Sequence, residues 1–365
     1  MNQKISSLQA IFLIMSTIVP TAILIVPNYA VRFSDQDSWI SIVIAIAVGI
    51  ALSFMLGAIC RHNPGMSFLG WLRNRLGPKT GTCIGILLTY YYLTTTIIIL
   101  REFVNFLTDN VLTKTPAPVL MVITVGVVLF AVNHGIEVIA RINLIVVFAS
   151  LFVFLVTAIL LAKDVHPGFI LPIGDHPLSR IVQGGLLPTG WLSEAAVLLL
   201  VAPFLNDPGA ARKVGITGVV FAGVELAVFV IAAFTILGPK IVSHLTFPTF
   251  NMIGIIQIGR FLERVDILFI SIWICMVYIK LSIFMFGAFH CFVESFRIRS
   301  VKPFLFALGL LAALSSLYTW PKETHLNYFS TYAVAPFLLS FNVILPLIIW
   351  LCLCITKPKP AGAKN

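Results

Sequence analysis

Acidic side chains are scarce in this sequence: Asp and Glu together number 14 among 365 residues, and charged residues of both signs make up only 10%. A water-soluble domain carries about 25% charged residues, so there is too little polar surface here to cover a globule in water. No long polar stretch is present either, which argues against an appended soluble domain. The sequence has no HExxH, no G-x-S-x-G, no Walker sequence and no paired aspartates within an apolar run, so metalloprotease, serine-hydrolase and nucleotide-driven chemistry lack their residues. The adjacent Ser193 and Glu194 do not form a nucleophile–base arrangement, and the chain reads as a non-enzyme. The six cysteines (Cys60, Cys83, Cys275, Cys291, Cys352 and Cys354) sit in or at the ends of apolar runs without metal spacing. The seven histidines lie mostly in loops or at run ends. No metal or cofactor is expected.

What is present is apolar: 59% of residues are hydrophobic and the mean hydropathy is +1.03. A membrane-spanning helix needs about 20 apolar residues, and such runs recur from end to end. Leu8 to Val26 is too long for a signal-peptide core and lacks a small-residue cleavage site, so it reads as the first span. Ten spans are predicted, at about 8–31, 38–60, 81–107, 117–133, 140–162, 178–204, 214–237, 264–292, 303–320 and 331–355. Breakers such as Gly77-Pro78, Pro116-Ala117-Pro118, Asp207-Pro208-Gly209 and Gly238-Pro239 mark the gaps. The fold class is therefore an all-α polytopic membrane protein in one integral-membrane domain. Phe247 to Arg264 is apolar but short and begins at a proline. It reads as a helix capping a cavity on the outer side, not as an eleventh span.

The formal charge of +10 follows topology. With the N-terminus inside, Arg61, Arg73, Arg75, Lys79, Arg141, Arg212, Lys213, Arg297, Arg299, Lys302 and the tail lysines fall on the inner face, where acids are few. The basic excess is thus an orientation signal and an attraction to the lipid bilayer, not a nucleic-acid footprint. Both termini are expected inside.

Two spans carry breakers near their middles. Pro20 lies in the first, flanked by Thr17 and Thr21; Gly184, Gly185, Pro188, Thr189 and Gly190 lie in the sixth. Proline removes a helical donor, and free backbone at membrane depth is tolerated only in a cavity or inside protein. First and sixth are corresponding positions of two five-helix halves, about 1–165 and 175–356, followed by a cytoplasmic tail at 357–365. Matched interruptions are the sequence pointer to an inverted-repeat transporter fold with its site at the repeat interface. Thr17, Val19, Pro20, Thr21, Leu187, Pro188, Thr189, Gly190 and Trp191 are accordingly candidate ligand-binding positions. Ionisable residues inside spans are costly and face a cavity or a partner, which adds Glu194 and Lys280. Glu225 is remote from both breaks and shows no partner motif. Arg101 and Glu102 read as groups that snorkel or pair locally. Tyr91 is a candidate wall residue from the Tyr90-Tyr91-Tyr92 run, only part of which can face inward.

Four stretches carry a resemblance: KISSLQAIFLIMSTIVPTAILIVP from Lys4, NHGIEVIARINLI from Asn133, LPTGWLSEAAVLLLVAPF from Leu187 and FPTFNMIGIIQIGRFLERVDILFISIW from Phe247. Together they resemble the B subunits of spore germinant receptors, the spore permease family within the amino acid/polyamine/organocation superfamily. The resemblance covers essentially the whole chain. It implies a LeuT-like 5+5 inverted repeat with broken first and sixth helices and a location in the spore inner membrane. It also implies a nutrient-sensing role in germination with A-type and C-type partner subunits, the nutrient often being an amino acid. An autonomous amino-acid transporter of the same fold is the alternative. Permeases of the wider superfamily carry a glycine-serine-glycine break in the first helix; here Ile18-Val19-Pro20-Thr21 stands there, leaving fewer bare amides for a carboxylate. Lys280 has two readings: a fixed cation replacing the sodium of related carriers and reaching the freed carbonyls of the first helix, or a structural partner of Glu194.

Overall fold

The first helix begins with reciprocal hydrogen bonds between Ser6 and Gln9: Gln9 N–H donates to Ser6 Oγ and Ser6 N–H to Gln9 Oε1, a capping box that satisfies two orphan donors. From there the computed structural model, which describes residues 3–63, 65–256, 266–298, 301–320 and 323–355, is almost wholly helical. In chain order the helices are α1 (Ser7–Ser34), α2 (Ser38–Arg61), α3 (Phe68–Leu76), α4 (Pro78–Phe106), α5 (Ala117–His134), α6 (Ile136–Leu161) and α7 (Leu178–Leu192). A 3-10 turn at Ser193–Val197 follows, then α8 (Leu198–Val201), α9 (Ala211–Leu237), α10 (Pro239–Val242), α11 (Pro248–Ile253) and α12 (Asp266–Phe296). The chain continues with α13 (Lys302–Tyr318), α14 (Glu323–Tyr332), α15 (Val334–Leu339), a π turn at Ser340–Ile344 and α16 (Leu345–Ile355).

Among the described residues, eight helical segments are long and apolar enough to cross a membrane. The first of them, Ser7–Arg61, folds back at Asp35–Asp37 into two antiparallel rods, and the shorter apolar helix α13 adds another. All ten expected spans are therefore helical, with ends displaced by a few residues. Helices α3 and α14 occupy stretches the sequence reads as loop. Of Phe247 to Arg264, the described part forms the six-residue α11 and a turn; 257–264 and the tail lie outside the described residues.

Tight junctions set the antiparallel neighbours. Gly135 alone separates α5 from α6 at φ 89°, a conformation that costs other residues strain, and the Gln3 side chain occupies the space a Cβ would need there. Helices α1 and α9 approach closely at Gly218, where a Cβ would lie 2.8 Å from Ile14; small residues let membrane helices touch backbone to backbone.

The interruptions differ from the expectation in place and kind. Helix α1 keeps α-helical geometry through Pro20 and Pro27 and is not unwound at Thr17–Thr21. Neighbours hydrogen-bond the backbone beside each proline. Trp273 Nε1–H donates to the Pro20 carbonyl at 2.7 Å. Pro27 has no N–H for the Ile23 carbonyl, and the Thr249 hydroxyl supplies that donor at 2.6 Å. In the sixth span α7 likewise runs through Pro188, with Thr189 Oγ1–H donating to the Gly185 carbonyl at 2.7 Å. The α geometry gives way one turn later than expected, at Ser193–Val197. Ser193 Oγ–H donates to the Gly190 carbonyl there at 2.5 Å. A mid-helix 3-10 stretch of this kind marks a hinge or a site.

The N-terminal end of the bundle is sealed. Ile5 N–H donates to the Phe204 carbonyl at 2.8 Å, and Asn206 N–H returns to the Ile5 carbonyl at 2.9 Å. Gln3 donates to the His134 carbonyl and accepts from Ile136 N–H. At the opposite end, Asp37 accepts from the N–H groups of Gly174 and His176, tying the α1–α2 turn to the segment before α7.

Candidate functional site

Lys280 is fully buried at mid-membrane depth. It projects from the middle of α12 and donates from Nζ to Thr21 Oγ1 of α1 at 2.7 Å and to Glu194 Oε2 at 2.8 Å. Glu194, 2% exposed, is carried on the 3-10 turn that follows α7. Overwinding thus places this carboxylate where α1, the sixth span and α12 converge. A buried ion pair survives only with close geometry and further hydrogen bonds; the Thr21 hydroxyl supplies one, and the Phe284 ring lies 5.6 Å from Nζ.

This cluster borders a small chamber of about 20 Å³, also lined by Thr95, Glu102, Trp191 and Phe337. Above it, away from the sealed end, opens a cavity of about 300 Å³. The two share Thr21, Ile99 and Glu102, so these residues form both the floor of the cavity and the roof of the chamber. The cavity wall is aromatic on one side: Trp273 packs on Phe103 and Phe106 with ring centroids 5.7 and 4.6 Å apart, and Phe106 meets Phe247 and Phe250 from the α10–α11 region. Its polar side holds Asn28, Arg32, Asp109 and His244, with Glu102 at the floor accepting from Ser330 Oγ–H at 2.8 Å. An apolar wall with a few convergent polar groups is the usual make-up of a small-molecule site, and 300 Å³ is at the small end of such sites.

Among the candidate positions, the structure gathers Thr21, Trp191, Glu194 and Lys280 around the chamber. Thr17 turns its hydroxyl to the Leu13 carbonyl. Val19, Leu187 and Pro188 are buried in helix packing, and the Pro20 carbonyl is occupied by Trp273. Thr189 bonds back to its own helix, and Gly190 lies against the Ala335 backbone. Tyr91 faces a separate small pocket toward the sealed end, stacked on Phe341 at 5.1 Å. Lys280 touches α1 through the Thr21 hydroxyl and not through freed carbonyls; the cation reading is corrected to that extent, and the pairing with Glu194 is present.

Glu102 is the residue sequence reasoning undervalued. It is an acid within an apolar run, the criterion that singled out Glu194, but its position toward a span end pointed to snorkelling. The cavity descends far enough between α1, α4 and α12 to place it on the floor. Trp273, Asn28 and Ser330 carried no comparable signal.

Known proteins match this chain in family and in fold. The family model described as "Spore germination protein" matches residues 4–324. Spore germination protein KB of Bacillus subtilis (strain 168) is 22% identical over 99% of this chain and 98% of its own length. Spore germination protein XB of Bacillus anthracis is 27% identical over 76% and 77%. Among solved structures, MhsT in complex with L-phenylalanine superposes with a TM-score of 0.62 at 14% identity, covering 97% of this chain and 99% of that one. Mhp1, a nucleobase-cation-symport-1 transporter in a closed conformation with bromovinylhydantoin, gives 0.54 at 15%, covering 95% and 80%. The chain has the LeuT-like fold shared by these transporters. It belongs to the spore germination protein family.

Proposed function

We propose that this member of the spore germination protein family is the nutrient-sensing subunit of a germinant receptor. In this reading the sealed N-terminal end faces the cell interior and the cavity opens outward, as the basic inner loops require. The chain resides in the spore inner membrane and works with A-type and C-type subunits. Residues 1–165 and 175–356 are its two inverted repeats.

The observation that carries the reading is the cavity whose floor is Thr21 and Glu102, directly over the Lys280–Glu194 pair. A small zwitterion such as an amino acid suits it. Its ammonium group meets Glu102, and its apolar side chain lies on Phe103, Phe106 and Trp273. The roughly 20 Å³ below is too small for the ligand itself. Binding therefore acts on the chamber from above, through Thr21, Ile99 and Glu102. A ligand shifts a conformational equilibrium only through different affinity for the two states; the 3-10 turn at Ser193–Val197 and the N-terminal seal are the elements whose rearrangement would distinguish them.

Spores carrying Glu102→Gln test this. A lost charged hydrogen bond weakens binding by about 1.5–3 kcal/mol, so the nutrient concentration for half-maximal response rises by about 10- to 150-fold at unchanged protein level. An unaltered dose response would remove the site.

The transporter reading has one specific support, the superposition on MhsT over nearly both full chains. Nutrient uptake by purified chain in liposomes separates the two: a carrier moves substrate alone, whereas a receptor subunit shows no appreciable flux and needs its partners.

A further inference from the structure

A cavity of about 910 Å³, larger than the central one, lies elsewhere among the described residues. It is a groove between α6 and α9, floored by Phe12 and Met15 of α1, and nearly all its surface is apolar. One lining residue is out of place. Glu225 stands near the middle of the 27-residue α9, and neither of its carboxyl oxygens has a hydrogen-bond partner among the described residues. The two acids at the central site are answered: Glu194 by Lys280 and Glu102 by Ser330. An unanswered carboxyl at membrane depth is costly, and a side chain that costs stability in the isolated chain calls for a donor from outside it.

Depth decides what that donor belongs to. At 1.5 Å per residue Glu225 is roughly 20 Å from either end of its helix, close to the midplane of a hydrocarbon core about 30 Å thick. A lipid tail can fill the groove but brings no donor to that level, because its polar head stays at the interface. A side chain on another transmembrane helix can reach it. The groove walls suit a helix: Ala158 of α6, Ala162 just past its end and Ala232 of α9 line it, and small residues allow close helix approach. The carboxyl oxygens themselves are covered by protein, so a donor engages them after Glu225 turns to another staggered rotamer.

We infer that the α6–α9 groove seats a transmembrane helix of a partner subunit, one that presents a hydrogen-bond donor at mid-bilayer depth to Glu225. The inference rests on the reading that the chain works in a receptor complex and is independent of where the nutrient binds.

The test uses the full chain in its native membrane with its co-expressed partner subunits. The photoreactive residue benzoylphenylalanine replaces Val224, which is 53% exposed in the groove, or, as a control, Val122 on the outer surface of α5, 70% exposed. Irradiation is expected to join position 224, but not 122, to a transmembrane peptide of another subunit that carries a polar residue near its middle. Glu225→Leu should cut the adduct about tenfold while the unfolding temperature of the purified variant stays level or rises, since a buried unpaired carboxyl has been removed. Glu225→Gln, whose amide still accepts, should keep most of it. Adducts only to lipid or to the chain itself would overturn the inference. So would equal yield at 122, an adduct indifferent to Glu225→Leu, or a loss accompanied by a lowered unfolding temperature. Nutrient binding by the same variants, measured separately, reports failure of the nutrient site without bearing on the groove.

Discussion

Lys280 and Glu194 form an ion pair 2.8 Å long, with both side chains at most 2% exposed, between the eighth span and the overwound turn of the sixth. Thr21 of the first span completes the Lys280 contacts at 2.7 Å. Three helices from both halves of the chain are therefore held by one ammonium group, immediately beneath the cavity floor.

Removing one member strands the other in a low-dielectric interior. Lys280→Met should destabilise the purified chain by about 3–5 kcal/mol, read as denaturant or thermal unfolding in detergent. The double variant Lys280→Met/Glu194→Gln should recover more than half of that loss. Additive effects of the two substitutions would show that the pair is not coupled.

Ion replacement tests the proposal that the Lys280 ammonium group, bonded to Thr21 of α1, takes the place of a bound sodium ion. Replacing sodium by potassium or choline should leave the nutrient response within about twofold, less than 0.5 kcal/mol. A response that requires sodium would contradict this assignment of the Lys280 charge.

Trp273 holds the Pro20 carbonyl at 2.7 Å. Trp273→Phe keeps an aromatic ring against Phe103 and Phe106 but loses the donor. It should cost about 1 kcal/mol of stability and raise backbone hydrogen exchange in α1 around Leu24, whose amide adjoins that carbonyl. Unchanged exchange in α1 would mean the bond does not restrain the helix.

The N-terminal seal rests in part on backbone pairing. Ile5→Pro removes the N–H that donates to the Phe204 carbonyl. A cysteine placed at Leu200, beside the inner pocket, in a background without the native cysteines, should then react faster with an impermeant reagent from the N-terminal side. Equal rates with and without Ile5→Pro would show that other contacts keep that end shut.

Hydropathy made the ten spans legible because membrane insertion demands a local property, a sufficient run of apolar residues. The helices α3 and α14 were not legible: their sequences FLGWLRNRL and ETHLNYFSTY mix polar and apolar residues and carry no span signal. The position of the interruptions was legible only to within a turn. Pro20, Pro27 and Pro188 each remove a donor, but whether the helix then unwinds depends on what faces the freed backbone. At Pro27 it is Thr249, distant in sequence, that answers the freed Ile23 carbonyl, and that contribution is a tertiary fact. In the site, Glu194 and Lys280 were found because burying charge is so expensive that position along a span suffices to flag it. Glu102 was passed over because the depth of the cavity beside α4 is set by the packing of α1, α4 and α12.

The most direct measurement is a cryo-electron-microscopy map of the full chain in lipid nanodiscs, saturated with the nutrient to which its receptor responds. The account predicts ligand density on the cavity floor, in contact with Thr21, Glu102, Phe103 and Trp273, above an intact Lys280–Glu194 pair. Density elsewhere on the chain, or a floor left empty at saturating nutrient, would contradict it.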